Sequence, residues 1–98
     1  MAEKLSEGEL NGALEALDSW SRAEGRDAIQ KSYKFKDFNE AFAFMTNVAE
    51  KAEQMDHHPE WSNVYAAVDV TLSTHDAGGV TDLDITLAKF MDEAAGLH

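Results

Sequence analysis

The sequence has no cysteine and a single proline among its 98 residues. Without cysteine, disulfides, zinc–thiolate centres and thiol nucleophiles are all excluded. Positive charge is scarce as well: 8 Lys and Arg stand against 19 Asp and Glu, a formal charge of −11 with histidine neutral. A field of that sign repels phosphate backbones and anionic bilayer surfaces, so neither direct nucleic-acid binding nor membrane docking is expected. No apolar run is long enough to cross a bilayer, and no N-terminal signal-peptide pattern is present. A cytoplasmic protein is the expectation, with nuclear entry left open. Internal repeats, low-complexity tracts, glycine-rich phosphate loops and a serine-elbow sequence are absent too, Gly78-Gly79 being an isolated pair.

What is there suffices for one core. Apolar residues make up 44% of the chain, and the length fits a single domain over 1–98. A domain this short buries only roughly 60–65% of the surface its unfolded chain exposes, so a subunit interface would widen a thin stability margin. Met1 to Leu5 are expected to fray. Ser6 and Glu9 form a capping-box pattern ahead of Leu10, Ala13, Leu14 and Leu17, which predicts a helix over 6–17. Trp20 and Arg22 alternate with serines before Gly25, and Ile29, Tyr33 and Phe35 alternate after it, predicting two antiparallel strands joined across that turn. Asp37 can cap a helix over 37–55 whose apolar stripe is Phe38, Ala41, Phe42, Met45, Val48, Ala49, Ala52 and Met55. Val64 to Ser73 alternate as one long third strand, and Thr81 with Asp84 forms a second capping box for a helix over 82–95. The expectation is an α+β domain, helices on one face of an antiparallel sheet, with the other face and the strand edges open to a second copy.

Three of the four histidines, His57, His58 and His75, fall within 19 positions. The first two follow the long helix, beside Asp56 and before Pro59, which disfavours helical geometry at His58. His75 ends the long strand between Thr74 and Asp76. An imidazole with a pKa near about 6.5 can give and take protons at cellular pH, and several beside carboxylates suit an elimination, in which one proton leaves and a hydroxide departs as water. A metal site would need these histidines with Asp56 or Glu53. Adjacent side chains in an extended segment point opposite ways, and no i, i+4 histidine pair exists, so no metal and no other cofactor is expected. His98 is terminal and is given no role.

At His57-His58-Pro59-Glu60-Trp61, Asn63-Val64-Tyr65, Leu72-Ser73-Thr74-His75-Asp76 and Gly78-Gly79 through Asp84, the sequence resembles the pterin-4a-carbinolamine dehydratase family. Glu53 fits the same pattern, and Glu24-Gly25-Arg26-Asp27-Ala28-Ile29 and Phe35-Lys36-Asp37-Phe38-Asn39 resemble the family's animal members. The likeness runs from about residue 20 to 93 and is loose over the first helix.

The resemblance implies four antiparallel strands with three helices on one face. The fourth strand would come from dividing residues 60–74 or from elsewhere. It also implies dimers joined sheet edge to sheet edge, and tetramers built from two dimers. The substrate would be 4a-hydroxytetrahydropterin, the product of aromatic amino acid hydroxylases, dehydrated to quinonoid dihydropterin in the recycling of tetrahydrobiopterin. By the resemblance, His57, His58 and His75 match catalytic and pterin-contacting histidines, while Asp56, Ser73, Thr74 and Asp76 match positions lining the substrate. His57 and His58 would be the principal pair and His75 would support them, with acid and base unassigned. Pro59 and Trp61 would support the pocket, Trp61 by packing. Asp84 would orient a histidine or only cap its helix, and Glu53 would back a histidine or only be solvated. Some animal members also stabilise the dimer of a homeodomain transcription activator, so an interaction role with such a partner is the second function class.

Overall fold

Local sequence signals place the helices first. The computed structural model describes residues 2–96. Ser6 and Glu9 exchange hydrogen bonds of 3.2 and 2.8 Å at the start of helix α1 (Glu7–Ala16), and the Asp37 side chain accepts from the Glu40 N–H at the start of α2 (Phe38–Met55). The Thr81–Asp84 capping box opens α3 (Asp82–Ala94). Between them run strands β1 (Ser21–Arg22), β2 (Ile29–Lys34), β3 (Glu60–Val64) and β4 (Ala67–Leu72). All pairings are antiparallel and the sheet order is β1-β2-β4-β3. This is the four-stranded α+β architecture with three helices.

The fourth strand comes from dividing the long strand expected after Val64. A two-residue turn at Tyr65-Ala66 folds it back, so β3 and β4 are the arms of a hairpin with Val64 opposite Ala67. Two residues in a turn preserve the even-odd alternation, and Tyr65 takes a positive φ of 51° where glycine or asparagine would have advertised the bend. The Asn63 amide holds it, donating to the Tyr65 and Ala67 carbonyls.

Along β2, Ile29, Lys31 and Tyr33 are buried while Gln30, Ser32 and Lys34 are exposed. Along β4, Val68, Val70 and Leu72 are buried. Apart from Lys31, which pairs with Asp92, these residues meet Leu10, Phe44, Val48, Ile85, Leu87 and Met91 from the helices in one core, leaving a polar face of the sheet open. The stripe expected on α2 is rotated. Phe38 and Phe42 are 45% and 52% exposed and pack on each other, whereas Phe44, outside that stripe, is buried against Tyr33 and Phe35 at ring separations of 4.8 and 4.9 Å. Apolar side chains occupy more than one face of this helix, and Tyr33 of β2 with Phe35 just beyond it select the face that packs.

The chain start is better anchored than its position suggests. The Leu5 N–H donates to the Val80 carbonyl at 2.8 Å, and Lys4 pairs with Asp27 at 3.0 Å. Met1, the first residue of the segment expected to fray, and His98 lie outside the described residues.

Candidate active site

The end of α2 delivers the first histidine. Asp56 adopts the left-handed conformation, φ 51° and ψ 43°, its N–H donating to the Glu53 carbonyl while the His57 N–H donates to the Ala52 carbonyl. This is a Schellman-type stop with aspartate where glycine is usual. The reversal turns His57 inward, leaving its side chain 9% exposed, and Pro59 then carries the chain into β3.

His57 Nε2 meets Asp84 Oδ1 at 2.6 Å. Asp84 has no exposed surface, and its other oxygen accepts from Thr74 Oγ1 and from the Thr81 N–H, both at 2.9 Å. Thr81 Oγ1 lies 2.7 Å from Thr74 Oγ1 and accepts from the Leu83 N–H. Thr74 donates to Asp84, so the Thr81 hydroxyl donates to Thr74, and among the described residues no buried side-chain nitrogen or oxygen lacks a partner. Asp84 therefore both caps α3 and orients a histidine.

The other two histidines are on the surface. His58 turns back to α2, its Nε2 2.7 Å from Glu53 Oε1. His75 lies just beyond β4, in one turn of 3₁₀-helix (His75–Ala77), rather than on the strand itself. Its Nε2 is 3.2 Å from Glu60 Oε2, and Arg26 grips the same carboxylate with both guanidinium arms at 2.9 and 2.8 Å. Arg26 first and His75 second draw the Glu60 carboxyl down to about 2. An ionised carboxylate only accepts, so in these contacts Nε2 carries the hydrogen and Nδ1 is left for other work.

The loop bearing His75 is fastened at its base. Thr74 and Gly79 bridge, and Gly78 takes φ 78°, a conformation a side chain would strain. Gly79 abuts Asp27 so closely that a Cβ there would stand 2.6 Å from its carboxyl carbon. Asp27 accepts from the Val80 N–H at 3.0 Å, which with the weaker help of Lys4 holds its carboxyl below the usual range. Ser73 donates to the Asp27 carbonyl.

These elements enclose an open cleft of about 240 Å³ lined by Asp56, His57, His58, Ser73, Thr74, His75 and Asp76. The helix end and the strand end thus meet at one rim, and the seven side chains singled out as catalytic or substrate-lining in the sequence converge. Trp61 is half-buried against the core and Pro59 is half-buried. Larger concavities of about 350 and 400 Å³ lie on the open sheet face and between α2 and α3, and neither is lined by a histidine. Among the described residues no three histidine or acidic side chains are grouped to hold a metal ion, and no helix is long and apolar enough to cross a membrane. Sequence reasoning gave Glu60 and Arg26 no role. Glu60 stood beside the histidine pair, but nothing in the sequence signalled that Arg26, 34 positions earlier, would hold it.

A family model described as pterin 4 alpha carbinolamine dehydratase matches residues 3–94. A relative in Burkholderia pseudomallei (strain 1710b) carries the provisional name pterin-4-alpha-carbinolamine dehydratase. It is 61% identical over 98 residues, spanning 100% of this chain and 96% of its own. A Bradyrhizobium relative (strain BTAi1) with the same provisional name is 61% identical over 95 residues, covering 97% of this chain and 96% of its own. The crystal structure of a transcriptional coactivator/pterin dehydratase from Brucella melitensis is similar with a TM-score of 0.95 and 55% identity, covering 96% of this chain and 100% of that one. A pterin dehydratase-like protein identified as a RuBisCO assembly factor in the alpha-carboxysome shares the fold at a TM-score of 0.71 and 22% identity, over 83% of this chain and 94% of that one.

Proposed function

For a chain that belongs to the pterin 4 alpha carbinolamine dehydratase family, we propose that the histidine cleft dehydrates 4a-hydroxytetrahydropterin to quinonoid dihydropterin. The observation that carries this reading is the convergence of three imidazoles on one cleft, each with its own carboxylate on Nε2. The reaction breaks the C4a–O bond, removes the proton on N5, forms the C4a–N5 double bond and releases water. One protonated imidazole assists the departing hydroxyl and one neutral imidazole takes the N5 proton, a division of labour that imidazole chemistry allows. His57 and His58 are the principal pair, and His75 supports binding and proton transfer. Asp56 and Asp76 offer acceptors to the amino and ring N–H groups of a pterin. Ser73 and Thr74 have committed their hydroxyl hydrogens to protein acceptors, so they meet the substrate as acceptors and as wall. A cleft with no lysine or arginine in its lining, in a chain of charge −11, does not suit a phosphorylated pterin.

Stopped-flow absorbance of freshly generated carbinolamine tests the proposal. The protein accelerates its decay, and His57→Ala and His58→Ala each lower the rate by more than about tenfold. Near-normal turnover in both folded variants removes the assignment.

A second reading, an interaction role, is supported by the coactivator name of the Brucella structure. The acidic charge points to protein rather than DNA as the partner, such as the dimerisation helix of a homeodomain activator, and co-purification with that helix tests it. Self-association is part of the same proposal. β3 is an edge strand, and Val64 and Tyr65 at its far end are 76% and 66% exposed, so a second copy can extend the sheet along β3. Light scattering is expected to report a dimer or tetramer, and a monomer at high concentration would exclude it.

A further inference from the structure

His75 sits on a single helical turn with its side chain 76% exposed, so packing does not fix its ring. Among the described residues its one side-chain hydrogen-bond partner is Glu60, through Nε2, and Nδ1 has none. Glu60 is itself 44% exposed at the start of β3 and would be free to rotate without Arg26. Arg26 stands in the turn between β1 and β2, and β4 runs between that turn and β3. Its two arms close on the two oxygens of Glu60, a fork-to-fork arrangement that fixes orientation as well as charge. Exposed ion pairs of this kind add little to stability, so the pair's orienting effect matters more than its contribution to the fold.

We propose that Arg26 and Glu60 are positioning residues for His75: the guanidinium fixes the Glu60 carboxylate, which accepts the Nε2–H of His75 and leaves Nδ1 as the nitrogen offered to the cleft. The relay is a property of the free protein, and it rests on the dehydratase reading only for what His75 then does. With Glu60 ionised throughout the range in which imidazoles titrate, the acceptor does not change as His75 gains or loses a proton.

Two measurements decide it. In the free protein, ¹³C relaxation of the His75 ring reports an ordered side chain. Glu60→Ala and Arg26→Ala release the ring, Arg26→Lys is intermediate because it keeps the charge and loses the fork, and the His57 ring is unchanged in all three. In carbinolamine dehydration, Glu60→Ala and Arg26→Ala each lower kcat about three- to tenfold, a fraction of what a whole acid–base group supplies. Either change added to His75→Ala lowers it no further, since residues acting through one group are not additive. Equal ring order in every variant, or losses that add in the His75→Ala background, overturns the proposal. If the unaltered protein does not turn over the carbinolamine, the dehydratase reading fails while ring order still decides the relay.

Discussion

Nε2 of His57 lies 2.6 Å from Oδ1 of Asp84, and the same carboxylate closes the capping box of α3. One side chain therefore ties a helix start to the ring expected to do chemistry. Asp84→Ala removes a cap and leaves Thr74 and the Thr81 N–H without their acceptor, so stability falls by about 2–4 kcal/mol in urea denaturation. Asp84→Asn keeps the shape and costs less stability. Its amide can donate to Nε2 and reverse the tautomer of His57, so dehydration is expected to fall at least about tenfold.

Far from the cleft, Asp92 accepts from Trp20 Nε1 at 3.2 Å, Lys31 Nζ at 2.8 Å and the Tyr33 hydroxyl. Burial first, and then Asp92, push the Tyr33 phenol above its ordinary range. Asp92→Ala leaves the Lys31 ammonium buried and unpaired, and thermal or urea unfolding is expected to show a loss of about 3–5 kcal/mol. Turnover per folded molecule stays near that of the unaltered protein.

The Glu60 carboxyl, drawn to about 2 in the fold from 4.5, binds a proton less readily when folded than when unfolded. Its stabilisation is complete above about pH 4.5 and fades as the pH falls through about 2. The melting temperature of Glu60→Gln therefore lies below that of the unaltered protein near neutrality, and the gap closes towards pH 2. Solvent screening at this half-exposed site keeps the gap small.

Asp56 holds a left-handed backbone that glycine would adopt without strain. Asp56→Gly is expected to leave stability unchanged or raise it by about 1 kcal/mol at most. It also removes a carboxylate from the cleft wall, so KM for the carbinolamine rises. A melting temperature that holds or rises while KM also rises would mark Asp56 as retained for the site rather than for the fold.

Much of this arrangement was legible in advance because it is written locally. The Ser6–Glu9 and Thr81–Asp84 boxes and the Asp37 cap announce their helices, and Gly25 announces the turn between β1 and β2. The β3–β4 turn was hidden because Tyr65-Ala66 contains no turn-forming residue and preserves the strand alternation on both sides. The face of α2 was misjudged at Phe38, Phe42 and Phe44, where periodicity permits two stripes and only the neighbours choose.

By itself the sequence determined which chemistry was available: imidazoles and carboxylates without a thiol, on elements whose ends could carry them. That much follows from composition and short-range pattern. Tertiary structure alone decided that Asp84 would meet His57 across 27 positions and that Arg26 would reach Glu60 across 34. Such pairings depend on how the sheet brings distant segments to one rim, and no local propensity encodes that distance.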